Sequence, residues 1–81
     1  TTIRIEANAA GDGKLSITCA DRGGLLYAVA EVLMRHAVDV HTAKIDTLGE
    51  RVEDTFRIRG NCLGSAGCRA KLESDLRAAL D

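Results

Sequence analysis

The 81-residue sequence contains no proline, no tryptophan, one tyrosine, one phenylalanine and three cysteines. So few aromatic rings leave almost nothing on which nucleobases could stack. A formal net charge of -1, from 11 Lys+Arg and 12 Asp+Glu, gives no cationic surface for a phosphate backbone or an anionic bilayer. Nucleic acid and membrane are therefore disfavoured as partners. No apolar run approaches the roughly 18 residues of a membrane-spanning helix, and no signal-peptide pattern is present. The chain starts at Thr1 in place of Met, so it reads as a segment of a longer protein. Without a linker or low-complexity tract, its length fits one soluble domain over residues 1–81. A chain of this size buries about 60% of its unfolded surface, enough for one two-layer core and too little for a deep catalytic cleft between lobes.

The cysteines are odd in number, and the step from Cys62 to Cys68 is too wide for a CxxC redox motif or zinc knuckle, which points to a reducing, cytoplasmic compartment. Cys19 falls on a strand alternation and Cys68 on a helical stripe, so both are expected as small core residues. Cys62, in a Gly-rich loop, is the one cysteine expected to be reactive.

Hydrophobic patterning orders the chain. Residues 2–7 alternate, with Ile3, Ile5 and Ala7 on one side, and residues 14–20 alternate again through Leu15, Ile17 and Cys19; turn formers at 8–13 join them as an antiparallel hairpin. From Leu25 the period becomes helical, with Leu25, Val29, Leu33 and His36 in one stripe, Tyr27 and Met34 opposite, and an end near Ala37. Residues 38–45 are β-branched and alternating, but their inward parity switches from Val38 and Val40 to Ala43 and Ile45, which requires a bulge near His41 and Thr42. After a turn at Leu48, Gly49 and Glu50, a strand turns Val52, Asp54, Phe56 and Ile58 inward. Residues 60–64 form a loop, and Ser65 caps a final helix with the stripe Cys68, Leu72, Leu76 and Ala79.

The order ββαββα, with strands apolar on one face and two amphipathic helices to cover it, predicts an α+β ferredoxin-like two-layer sandwich with a four-stranded antiparallel sheet. The N-terminal strand fills the edge beside residues 14–20. The other sheet face carries Arg4, Glu6, Ser16, Thr18, Arg51, Glu53, Thr55, Arg57 and Arg59 to solvent.

The chemistry concentrates where Ala20, Asp21, Arg22, Gly23, Gly24, Leu25 and Leu26 join a strand to a helix N-terminus. Unpaired backbone N–H groups and the positive helix end favour a carboxylate or phosphate there, although such a Gly-Gly step also serves as a plain tight turn. Asp54 at an inward position reads as a hydrogen-bonded or edge acid. His36 and His41 have no cysteine or carboxylate at ligand spacing, so no metal site is expected. The arginines alternate with acids as a solvated or interaction face. No nucleophile, base and orienting group assemble, so no catalytic residue and no cofactor are assigned.

The run from Asp21 to Leu26, the segment Val38, Asp39, Val40, His41, Thr42, Ala43, Lys44 and Ile45, and the pattern Gly49, Glu50, Arg51, Val52, Glu53, Asp54, Thr55 and Phe56 resemble the ACT domain family of regulatory modules. Within it, the likeness is to the C-terminal ACT repeat of the PII uridylyltransferases of bacterial nitrogen control. It covers nearly the whole chain. Gly23 stands where the family usually has proline. The resemblance implies a ferredoxin-like fold and binding of a free amino acid, glutamine first, at Asp21, Arg22, Gly23, Gly24 and Leu25, completed by Val38, Asp39 and Val40 of a neighbouring copy. Backbone N–H groups would hold the carboxylate, and Asp21 or Asp39 the ammonium. Equally, Asp21 fits a helix cap and Asp39 a turn. Implied partners are another ACT copy or a homodimer, and catalytic domains of the parent. Two alternatives stay open: a pairing module without ligand, and an acylphosphatase-like hydrolase, for which Arg22 is the only support.

Overall fold

The computed structural model describes residues 2–20 and 24–80. The elements follow the expected order: β1 (Thr2–Ala7), β2 (Asp12–Ala20), α1 (Leu25–Arg35), β3 (Asp39–Leu48), β4 (Arg51–Arg59), a 3-10 turn (Asn61–Gly64) and α2 (Ala66–Leu80). The sheet is antiparallel throughout, in the order β1-β2-β4-β3, with both helices packed on it in the ferredoxin-like arrangement. Among the described residues no helix is long and apolar enough to cross a membrane.

The central pair β2–β4 runs in unbroken register from Asp12↔Arg59 to Ala20↔Arg51. Directly opposed residues share a face, so Leu15 with Phe56 and Cys19 with Val52 point to the helices. β1 adds Ile3 opposite Ile17 and Ile5 opposite Leu15. Leu25, Val29, Val32 and Leu33 of α1 and Leu72, Leu76 and Leu80 of α2 close the core over them. The stripe of α2 thus ends on Leu80 and not on the expected Ala79, which is exposed, because successive steps of four from Leu72 keep one face.

The expected bulge is present: the β3–β4 register shifts between Val40 and Thr42, so Val40, Ala43, Ile45 and Thr47 all share the face of Ile58, Phe56, Asp54 and Val52. The expected burial holds for Val38, just before the strand, and fails for Val40, Ala43 and Ile45. Every residue of β3 is exposed, with Val40 at 44%, Ile45 at 47% and Leu48 at 59%, because the helices cover the other three strands and stop short of this edge.

Three local devices fix the connections. At the β1–β2 turn the Asn8 Oδ1 accepts hydrogen bonds from the N–H groups of Ala10 (3.0 Å) and Asp12 (3.1 Å), and Gly11 takes φ 87°. The Gly60 N–H then donates to the Gly11 carbonyl at 2.9 Å, tying this turn to the exit of β4. At the end of α1 the Ala37 N–H donates to Met34 O (3.0 Å) and the Val38 N–H to Leu33 O (2.9 Å), with Ala37 at φ 55°. That is a Schellman ending with alanine in the left-handed position, and it stops the helix at Arg35, two residues before the expected end. At the start of α2 the Ser65 Oγ accepts from the Cys68 N–H at 3.4 Å, as the expected cap.

Cys68 is not the reduced core residue expected from its stripe. It is half-buried and joined to Cys62 by a disulfide, because the 3-10 turn brings their Cα atoms to 5.3 Å across a sequence separation of 6. Arg69 Nη1 also donates to the carbonyl of the buried Leu63 at 2.7 Å, so turn and helix form one unit. Cys19 is buried and takes no part in a disulfide.

Two substitutions test these devices. Ala37→Gly removes the steric cost of a Cβ in the left-handed region and raises stability by about 0.5–1 kcal/mol, a Tm increase of about 2–8 °C in thermal unfolding. Gly11→Ala does the opposite: its Cβ would lie 2.8 Å from the Gly60 carbonyl oxygen on a strained backbone, so chemical denaturation registers a loss of about 2–4 kcal/mol. An unchanged midpoint in either variant rejects the corresponding device.

Candidate functional site

The exposed strand β3, the first half of β4 and the start of α1 bound a cleft of about 250 Å³ lined by Gly24, Leu25, Leu26, Tyr27, Ile45, Thr47, Val52 and Asp54. Gly24 stands at the N-cap of α1 with φ 80° and ψ 2°, and its carbonyl accepts the first helical bond, from the Ala28 N–H at 3.0 Å. It has no side chain to cap the helix, and the first turn contains no acid. The positive end of the helix macrodipole and its N–H groups therefore face a concave, partly apolar space. A Cβ built on Gly24 meets nothing within 4 Å, so the backbone here is open to close approach.

Asp54 forms the acidic side of this cleft. It is fully buried on the central strand β4, opposite Ile17 on one side and Ile45 on the other. Burying a carboxylate is costly without compensation, and the protein engages Asp54 accordingly. The cleft thus sets a cationic helix end and a carboxylate on one small cavity, an arrangement suited to a compact molecule carrying both charges. Among the described residues no nucleophile is paired with a base here.

The sequence-based site divides in three. Asp21, Arg22 and Gly23 lie outside the described residues, and so does the arginine on which the hydrolase alternative rests. Gly24 and Leu25 line the cleft. Val38, Asp39 and Val40 do not meet them within one chain: Asp39 pairs with Arg59 at one end of β4, whereas Ala20, which leads towards α1, pairs with Arg51 at the other. At about 3.3 Å per residue the two ends are roughly 25 Å apart. Sequence reasoning did not assign Leu26, Tyr27, Ile45, Thr47, Val52 or Asp54 to the site. The signal available was an acid at an inward strand position.

A larger and shallower trough of about 710 Å³ lies over the polar face, where Glu6, Asp12, Lys14, His41 and Arg57 meet. Its opposite charges are interspersed, with Arg59 Nε near Asp12 Oδ1 at 3.6 Å, and no set of donors converges. Elsewhere, the fold unites residues that looked unrelated in sequence. The ligand atoms of His36, Cys62 and Cys68 lie within 4.8 Å of one another, the one such group of metal-ligand type among the described residues.

No protein-family model matches the chain. It is 63% identical over 79 residues to the bifunctional uridylyltransferase/uridylyl-removing enzyme of Thiobacillus denitrificans, a match that covers 96% of this chain and 9% of that protein. It is 43% identical over 82 residues to the protein of the same description from Burkholderia mallei, covering 98% of this chain and 10% of the relative. Among solved structures, the crystal structure of an unknown protein from Galdieria sulphuraria superposes with a TM-score of 0.68 over 82% of this chain and 39% of that one, at 20% identity, a likeness of fold alone. The chain spans about a tenth of the length of the curated relatives it matches, and corresponds over nearly all its own length to a region of bifunctional uridylyltransferase/uridylyl-removing enzymes.

Proposed function

We propose that the chain is an ACT-type regulatory segment of a cytoplasmic uridylyltransferase/uridylyl-removing enzyme of bacterial nitrogen control, and that its cleft senses a free amino acid, glutamine first. The observation that carries this reading is the N-terminus of α1, with no side-chain cap from Gly24, beside a cavity that also holds the buried Asp54. The amino acid's carboxylate takes the first-turn N–H groups, and its ammonium lies on the side of Asp54 or of Asp21. The cavity is somewhat below the roughly 300–1,000 Å³ of sites for drug-sized ligands, as a small metabolite requires. Catalysis of uridylyl transfer and removal belongs to the remainder of the parent, and ligand binding here biases it.

The exposed edge strand supports a further part of the same reading, association with another ACT copy. β3 presents free backbone groups together with Val40, Ile45 and Leu48, and such an edge invites pairing. A second copy could bring its own Val38, Asp39 and Val40 towards a cleft that one chain leaves without them.

The binding test is calorimetric titration of the chain with an amino-acid panel. Thr47→Arg places a bulky side chain on the cleft wall from an exposed strand position, so the fold, checked by circular dichroism, is retained. Each lost hydrogen bond to a charged group costs about 1.5–3 kcal/mol, so glutamine affinity should fall by at least about tenfold. Gly24→Asn, which tolerates a left-handed backbone better than a β-branched residue, should weaken binding in the same direction. Unaltered affinity in the folded Thr47→Arg variant moves the site elsewhere, and no binding by the unmodified chain favours the pairing module.

The pairing test is light scattering across a concentration series. A dimer is expected, and Ile45→Lys on the edge strand should shift the chain towards monomer; a monomer at every concentration up to the millimolar range rejects the pairing.

A further inference from the structure

Away from the cleft, three side chains of metal-binding type converge from three elements. His36 caps the C-terminus of α1, Cys62 lies in the 3-10 turn, and Cys68 lies in the first turn of α2. Their ligand atoms fall within 4.8 Å of one another, and all three residues are half-buried. The two sulfurs are bonded to each other, at 2.12 Å. His36 Nε2 lies 2.7 Å from Asp75 Oδ2, so the imidazole is held from behind by a carboxylate 39 residues away.

We propose that reduction of the Cys62–Cys68 disulfide converts this cluster into a binding site for a borderline-soft divalent cation of the zinc type. A tetrahedral zinc ion has Zn–S distances of about 2.3 Å and Zn–N distances of about 2.0–2.1 Å, which puts its donors about 3.3–3.8 Å apart. The three donor atoms lie within 4.8 Å of one another, close enough for side-chain rotation to bring them to those distances. Once the S–S bond is cut, rotation of the two cysteine side chains opens the gap the ion needs, since the Cα atoms are 5.3 Å apart. Two thiolates and an imidazole select against calcium and magnesium, which require oxygen ligands. Coordination through Nδ1 leaves Asp75 on Nε2, the carboxylate–histidine–metal arrangement that fixes the ring and raises its basicity. Water completes the shell.

The chemistry balances with a dithiol reductant. It gives two electrons and two protons to the S–S bond, yielding two cysteine thiols and becoming a disulfide itself. The cation then forms two metal–sulfur bonds, and the two thiol protons pass to solvent. In a reducing compartment the dithiol, and with it the metal-binding form, is the resident state. The disulfide ties the 3-10 turn to α2, whereas the ion, through His36, ties the end of α1 to both.

The test is titration of the chain with Co2+, followed by Zn2+, before and after reduction by a phosphine. The reduced chain should take one equivalent of Co2+ with a thiolate-to-cobalt absorption band that Zn2+ abolishes, and the disulfide form should show neither. Cys68→Ser should weaken binding at least about tenfold, and Asp75→Asn about 10–100-fold, whereas Cys19→Ala should leave it unchanged. If reduction alone unfolds the chain, recovery of its circular dichroism on adding Zn2+ supports the site, and failure to recover overturns it. A folded, reduced chain without the thiolate band, or equal affinity in the disulfide form, also overturns it.

Discussion

The fold depends on one ladder. β2 and β4 lie side by side in the middle of the sheet, paired from Asp12↔Arg59 to Ala20↔Arg51, and each is apolar on a single face. A slip of one residue would turn Leu15, Ile17, Phe56 and Ile58 outward together, so their burial fixes the register. That register decides the rest. It carries the chain out of β2 beside the start of β4, which places α1 with its N-terminus over Asp54 and Val52, and it leaves β3 to pair on the far side. Both cross-strand partners of Asp54, Ile17 and Ile45, are therefore hydrophobic, and the cleft forms where the helix layer ends.

The corner between the helices is built differently. Val32, Leu33, Val38 and Leu63 are buried there, and directional contacts add to that packing: the Schellman bonds into Leu33 and Met34, the His36–Asp75 pair, the disulfide, and Arg69 on the Leu63 carbonyl. Such contacts have strict geometry, and the His36–Asp75 pair, the one of them that joins the end of α1 to α2, fixes the approach of the two helices more narrowly than an equal area of aliphatic packing would.

Strand parity, the bulge at His41, the Ser65 cap and the ββαββα order were legible in the sequence because each is a local pattern of period or capping chemistry. Gly24 and Leu25 were legible for the same reason, as the step from strand to helix. The other cleft walls were not, because Ile45, Thr47 and Asp54 reach the site through pairing across strands, and a one-dimensional pattern records their parity without their neighbours. The exposure of β3 was invisible too: Val40, Ala43 and Ile45 alternate as a buried strand does, and only the placement of the helices reveals that nothing covers them. The helix end at Arg35 carried no glycine signal, since alanine occupies the left-handed position. The disulfide was missed because a spacing of six residues becomes a Cα separation of 5.3 Å only when the 3-10 turn doubles back. His36 and Asp75, 39 residues apart, have no local signature at all.

The edge strand has a thermodynamic consequence. β3 is held in the sheet through β4 alone, with every residue exposed, so it sits at the low end of local stability and opens more readily than the central pair. Its Ile45 and Thr47 are also one wall of the cleft. An occupant of the cleft that contacts them stabilises the closed strand, and a chain that pairs with the strand's free edge stabilises the same state. Were both to occur, linkage would make each strengthen the other by one common factor, whichever comes first. A 10-residue strand with little covering it would then be the element that couples the cleft to whatever pairs along the sheet edge.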